Sequence, residues 1–175
     1  MLKTSMRLVA ASLAVAALLF GCGLLSIMIL INEEIDTTTV PGDLFYYGVD
    51  VTDDEDWEEH QDNIEFVNYV AFDLYLNNPG GSDITFNGYI DDAANPVCGT
   101  SACAAATTRV LKDITIPAGS TRHITAGQSF QFIENMSVMK TLAREGAFHL
   151  YGVSTGGSFV IDSGRVIVAI VISAP

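Results

Sequence analysis

The sequence predicts an all-β antiparallel sandwich carrying one short helix, behind an N-terminal signal or anchor segment. Three observations lead there. Short segments rich in Val, Ile, Phe and Tyr recur along the 175 residues, with turn chemistry roughly every eight to twelve positions. In residues 64–76, Val70, Phe72, Leu74 and Leu76 alternate with Ala71, Asp73 and Tyr75, the period of a strand with one buried face. No strand–helix–strand alternation is visible, which excludes a doubly wound parallel sheet.

The N-terminal segment sets the compartment. "MLKTSMR" carries Lys3 and Arg7 and no acid, and "LVAASLAVAALLFG" follows it. A positive start, an apolar run and small residues at its end are the layout of a secretory signal. The run closes on Leu19-Phe20-Gly21-Cys22, which resembles a bacterial lipobox in which Cys22 is lipidated and becomes the mature N-terminus. Two other fates fit the same residues. Positions 8–31 form one uncharged stretch long enough to span a bilayer, with its positive flank on the cytoplasmic side. A cleaved, unlipidated signal is the third. All three export the same domain.

Cysteine parity favours lipidation. Of Cys22, Cys98 and Cys103, the last two lie close together in "VCGTSAC", and an exported protein can oxidise such a pair. Closing so short a ring contributes about 2 kcal/mol in the chain-entropy model. The division expected is a lipoprotein-type signal peptide (1–21), a lipid-anchored tether (22–43) and a β-sandwich domain (44–175) with an acidic loop at 53–62.

Charge narrows the partners. The chain carries 8 basic and 21 acidic side chains, a formal net charge of −13. Cleavage before Cys22 removes Lys3 and Arg7 and leaves six basic against 21 acidic groups, or −15. The six are scattered singly, so nothing could track a phosphate backbone, and nucleic acid is excluded as a partner. Anionic head groups would repel the same surface. The membrane is therefore expected to be reached through the N-terminal lipid or helix.

Within the domain, residues 44–52 read as a first strand and the acidic stretch interrupts it. Strands are expected at 64–76 and 83–90. A hairpin-like arrangement at 108–127 turns on "PAGS", where Pro fixes one dihedral and Gly supplies the other. "ENMSVMKTLAREG" is the one helix, with Met136, Met139 and Leu142 at helical spacing and Gly146 as its C-terminal cap. Residues 147–154, 158–162 and 165–173 return to strand. The last, "RVIVAIVIS", is apolar enough to be central.

The order of elements resembles the late-embryogenesis-abundant type 2, or water-stress and hypersensitive-response, domain. The resemblance rests on the strand ending in Asn78-Pro79, on "LKDITIPAGSTRHI", and on "FHLYGVSTGGSFVID" before a last apolar strand. It spans roughly residues 64–172. It implies an immunoglobulin-like β-sandwich linked to desiccation and stress tolerance, often behind a membrane anchor or lipid. The cysteine loop and acidic stretch are additions to that pattern. The family has no agreed catalytic residues, so none carries over.

Three motifs invite chemistry. Gly152-Val153-Ser154-Thr155-Gly156 spells the G-x-S-x-G nucleophile elbow of serine hydrolases. An elbow needs a helix after the serine and a later histidine. A strand-rich, glycine-punctuated segment follows instead, and no His lies beyond Ser154, so a hairpin turn is expected. Asp54, Asp56, Glu58, Asp62 and Glu65 fall at calcium-loop spacing, but Glu59 stands where the turn demands Gly. A solvated charge run is the default there, with Trp57 packing onto the sandwich edge. His60, His123 and His149 show no ligand spacing, Met136 and Met139 read as core filling, and the Asn135-Met136-Ser137 sequon carries no weight in a bacterium.

The expectation is therefore a non-catalytic structural or binding module of a cell envelope. It would be lipid-anchored at the outer membrane or periplasmic face, or held by a single-pass segment, and would serve an envelope protein partner. No cofactor is expected. The alternatives are an envelope serine hydrolase using Ser154 and a calcium-responsive adhesion module using Asp54 to Glu65.

Overall fold

A computed structural model describes residues 26–40 and 42–173. The signal peptide and Cys22 lie outside the described residues. Among the described residues nine strands form two antiparallel sheets. The first sheet runs β1 (Ser26–Ile35), β9 (Phe159–Ser173), β4 (Ile64–Asn78), β7 (Ser120–Ile124), with β2 (Thr38–Val40) also on β9. The second runs β3 (Leu44–Asp50), β8 (Ala147–Thr155), β5 (Ile84–Asp92), β6 (Thr108–Ile116). Their inner faces enclose one core, in which Val70, Phe72, Leu76 and Phe159 meet Phe86, Ile114, Phe148 and Leu150. The alternation of residues 64–76 does what its period implies. Val70, Phe72, Leu74 and Leu76 are buried, while Asp73 and Tyr75 face out.

β9 is central as expected, paired along its length with β1 and β2 on one side and β4 on the other. Residues 158–162 and 165–173 are one long strand, not two. β4 carries register shifts between Ile64 and Phe66 and between Val67 and Tyr69, bulges of the kind that twist and bend long strands.

The lipid-anchored tether expected over residues 22–43 is corrected from Ser26 onward by this pairing. From Ser26 onward the chain is sheet: β1 matches β9 from Ser26–Ser173 to Ile35–Gly164. Residues 26–31, which also completed the alternative membrane-spanning stretch, are strand, and among the described residues no helix is long and apolar enough to cross a membrane. Ile31 and Ile35 of β1 are core residues, and burying them stabilises the strand more than solvating a linker could.

The acidic loop expected at 53–62 is also corrected. It folds as a 3₁₀ turn (Val51–Asp53), helix α1 (Glu55–His60) and a second 3₁₀ turn (Gln61–Asn63). Asp54 caps α1, its side chain accepting from the Asp56 amide at 2.9 Å. Carboxylates in the first turn suit the positive end of the helix dipole. Trp57 is 4% exposed and joins the core with Val51, closing one end of the sandwich.

Three further helical segments accompany it: α2 (Ser101–Ala104), α3 (Ala126–Ser129) and α4 (Met136–Glu145). α4 is the helix read from the sequence. Met139 and Ala143 are buried, and Gly146 caps it at φ 94°, a left-handed conformation that favours glycine. A Cβ on Gly146 would meet the Thr52 side chain at 2.4 Å. α4 packs on the part of β4 that β7 does not reach. Residues 132–134 hydrogen-bond along the outer edge of β6, with Glu134 bridging Lys112 at 2.8 Å and Arg109 at 2.9 Å. These bonds, Lys112 first, hold the Glu134 carboxyl below the usual carboxylate range. These segments cover the β6 edge and flank β4, while β1 and β3 remain edge strands of their sheets.

Candidate functional site

The outer faces of the two sheets are treated differently. Over the β3–β8–β5–β6 sheet lies the loop between β5 and β6, fastened by the Cys98–Cys103 disulfide, with Cα atoms 5.5 Å apart. This loop makes a second small core in which Cys98, Ala104, Tyr151 and Val153 are buried with Leu44 and Tyr89 beside them. The Cys98 amide donates to the Tyr151 hydroxyl at 3.1 Å. His149 is held at 3.0 Å from the Asn95 carbonyl and 3.1 Å from the Tyr46 hydroxyl. A neutral ring donating to the carbonyl from Nε2 and accepting from Tyr46 at Nδ1 satisfies both contacts.

Among the described residues no such loop lies over the other sheet, and its outer face is graded from one end to the other. Cross-strand register sets out the rows. β1 begins at the Ser26–Ser173 pair, where Ser26 lies 3.5 Å from the Glu65 carboxylate; then stand Met28, Val171 and Phe66, and next Leu30, Ala169 and Tyr69. Phe130, just after α3, meets Tyr69 edge-on with ring centroids 5.6 Å apart. Asn32, Ile167 and Ala71 form the third row, and Glu34, Arg165 and Asp73 the fourth. Apolar surface thus gives way to charge within four rows.

The charged end holds a cleft of about 230 Å³ lined by Glu34, Asp36, Thr37, Asp73, Tyr75 and Arg165 among others. Asp73 Oδ1 lies 2.9 Å from His123 Nε2, and Arg165 reaches its second oxygen at 3.9 Å. The His123 ring stacks on Tyr75, with centroids 3.8 Å apart and planes 11° off parallel. A polar cleft with one guanidinium and three carboxylates, one of them backed by His123, can hold a small zwitterionic or cationic group. Sequence reading missed this cluster. Asp73 and His123 meet only because β4 and β7 pair in the register Tyr75–His123, and no local motif marks a contact across 50 positions.

The residues singled out in the sequence fall elsewhere. Ser154 is the next-to-last residue of β8, and the turn after it is not the expected hairpin: it crosses to β9 in the other sheet, with no helix following. It is 3% exposed, and its hydroxyl donates to the Gly157 carbonyl within the turn. His149 is engaged with Asn95 and Tyr46 as described. Asp54, Asp56, Glu58, Asp62 and Glu65 are spread over α1, its flanking turns and the start of β4. Among the described residues no group of three or more His, Cys, Asp or Glu is placed to hold a metal ion.

No protein-family model and no curated protein matches the chain. Among solved structures it is similar to a chain in the structure of infectious bursal disease virus Gx strain, at 12% identity and a TM-score of 0.36. The match covers 85% of this chain and 32% of that one, so this chain spans about a third of its length. A likeness that distant says nothing of what this chain does.

Proposed function

We propose that this protein is an exported, membrane-tethered β-sandwich acting as a non-catalytic structural or binding module of a cell envelope, lipid-anchored through Cys22. The observation that carries the reading is the Cys98–Cys103 disulfide. Such a bond persists in oxidising compartments. It uses two of the three cysteines, leaving Cys22, at the end of a signal-like segment, as the one free for lipid. The full lipoprotein modification carries several acyl chains, enough for stable anchoring where one chain is not. A role in desiccation or other stress follows from the resemblance to the water-stress domain.

In this reading the domain works by being held and by presenting surfaces. The disulfide roof stiffens one face, and the graded face and its Glu34–Asp73–Arg165 cleft remain for partners. The test is growth with an alkyne palmitate analogue, followed by membrane fractionation. The protein should take up label and stay with membranes after carbonate washing, and Cys22→Ser should lose the label. Unlabelled wild-type protein in the soluble fraction would sink the proposal.

A further inference from the structure

The open apolar end of the graded face lies where the chain leaves its anchor. Only Gly23, Leu24 and Leu25 separate Cys22 from Ser26, the first residue of β1. Four residue steps span at most about 14 Å, so a lipidated Cys22 would keep the start of β1 within that distance of the head groups. Large apolar side chains stand at that point on the outer face: Met28 (53% exposed), Leu30 (45%), Phe66 (48%) and Phe130 (46%).

We propose that this apolar end is a membrane seat, on which the anchored domain lies against the lipid surface. The inference rests on the Cys22 anchor proposed above and adds the orientation. Charge fixes which surface goes down. α1 packs beside β1 at the closed end of the sandwich, and an end-on stance would press Glu55, Asp56, Glu58 and Glu59 toward phosphates. The outer face carries far less charge: Glu65 stands beside Ser26 at its very edge, the Met28 and Leu30 rows carry none, and its ionic row, Glu34–Arg165–Asp73, comes last. A surface apolar at one end and charged at the other, on a strongly acidic protein, suits the interface of a zwitterionic bilayer, with hydrophobic contact and not charge holding it there. The seat leaves the cleft at the far end of the same face reachable from water.

The test uses the full lipidated protein in phosphatidylcholine–phosphatidylethanolamine vesicles loaded with a bilayer-resident aryl-diazirine, with labelled residues mapped by peptide mass. Tyr46 and Val97 serve as controls, being comparably exposed and lying on or beside the opposite sheet. Burial of an apolar side chain shifts its partition by about tenfold or more, so Met28, Leu30 and Phe66 should label about tenfold above the controls. Leu30→Glu, a change at an exposed position, should lower that labelling several-fold while the protein still floats with the vesicles. Flotation with all five residues labelled alike would overturn the seat and leave the anchor standing. Flotation with the three residues shielded from both lipid and aqueous carbenes would mean that a second copy or other protein covers the face, also overturning it. Protein that does not float would refute anchor and seat together.

Discussion

Opening the Cys98–Cys103 bond should loosen the roof over one sheet without unfolding the sandwich. The bond closes a ring of six residues counted from Cys98 to Cys103, for which chain entropy gives about 2 kcal/mol. For a domain near this size, one kcal/mol moves the melting temperature by about 2–4 °C. Reduction, or the Cys98→Ser/Cys103→Ser double variant, should therefore lower Tm by about 4–8 °C. A local signature should accompany the shift, because Tyr151 is fully buried beneath this loop and accepts the Cys98 amide. Near-UV circular dichroism should lose tyrosine intensity while the far-UV strand signal stays. Tyr151→Phe strands that amide and should cost about 1–3 kcal/mol in the oxidised protein. It should cost less in the reduced one, where the loop is already loosened and the two effects share a contact. Alkylation of both thiols with no change in Tm would refute the assignment of a stabilising roof.

Three further outcomes follow from particular contacts. Gly152→Ala should destabilise by about 1–3 kcal/mol in chemical denaturation, because its Cβ would meet Phe86 at 2.5 Å; a neutral result would mean the sheets are less tightly packed than described. Ser154→Ala should cost about 1 kcal/mol through its lost bond to the Gly157 carbonyl, and neither it nor the wild type should react with a fluorophosphonate probe. Serine-dependent labelling would revive the hydrolase reading. Millimolar calcium should leave Tm unchanged, since specific binding to the folded state must raise it and the carboxylates from Asp54 to Glu65 do not converge.

What the sequence could and could not disclose follows from the range of the forces involved. β4 was legible because each residue's side follows from its neighbours, and Val70, Phe72 and Leu74 alternate cleanly. α4 was legible through Met136, Met139 and Gly146, since spacing and cap are local. β1 was not. Ile27 to Ile31 is apolar on both faces, and composition alone cannot separate an edge strand with an exposed apolar side from the continuation of a membrane segment. α1 was hidden by its own charge. Trp57 was the one signal in "DDEDWEEH" that the segment packs against something, and the Asp54 cap was there to be read. The Asp73–His123–Arg165 cluster lay beyond sequence reading altogether, because it depends on the β4–β7 and β4–β9 registers and on bulges that no local pattern fixes.

The central claim is that the chain is exported, cut before Cys22, lipidated there and oxidised between Cys98 and Cys103. An intact mass of detergent-extracted protein, with and without reductant, tests all of it at once. The account predicts a chain starting at Cys22 that carries diacylglyceryl and acyl groups and gains the mass of about two hydrogens on reduction. A mass beginning at Met1 with no adduct would contradict the anchor and the seat, and a mass unmoved by reductant would contradict the oxidised pair.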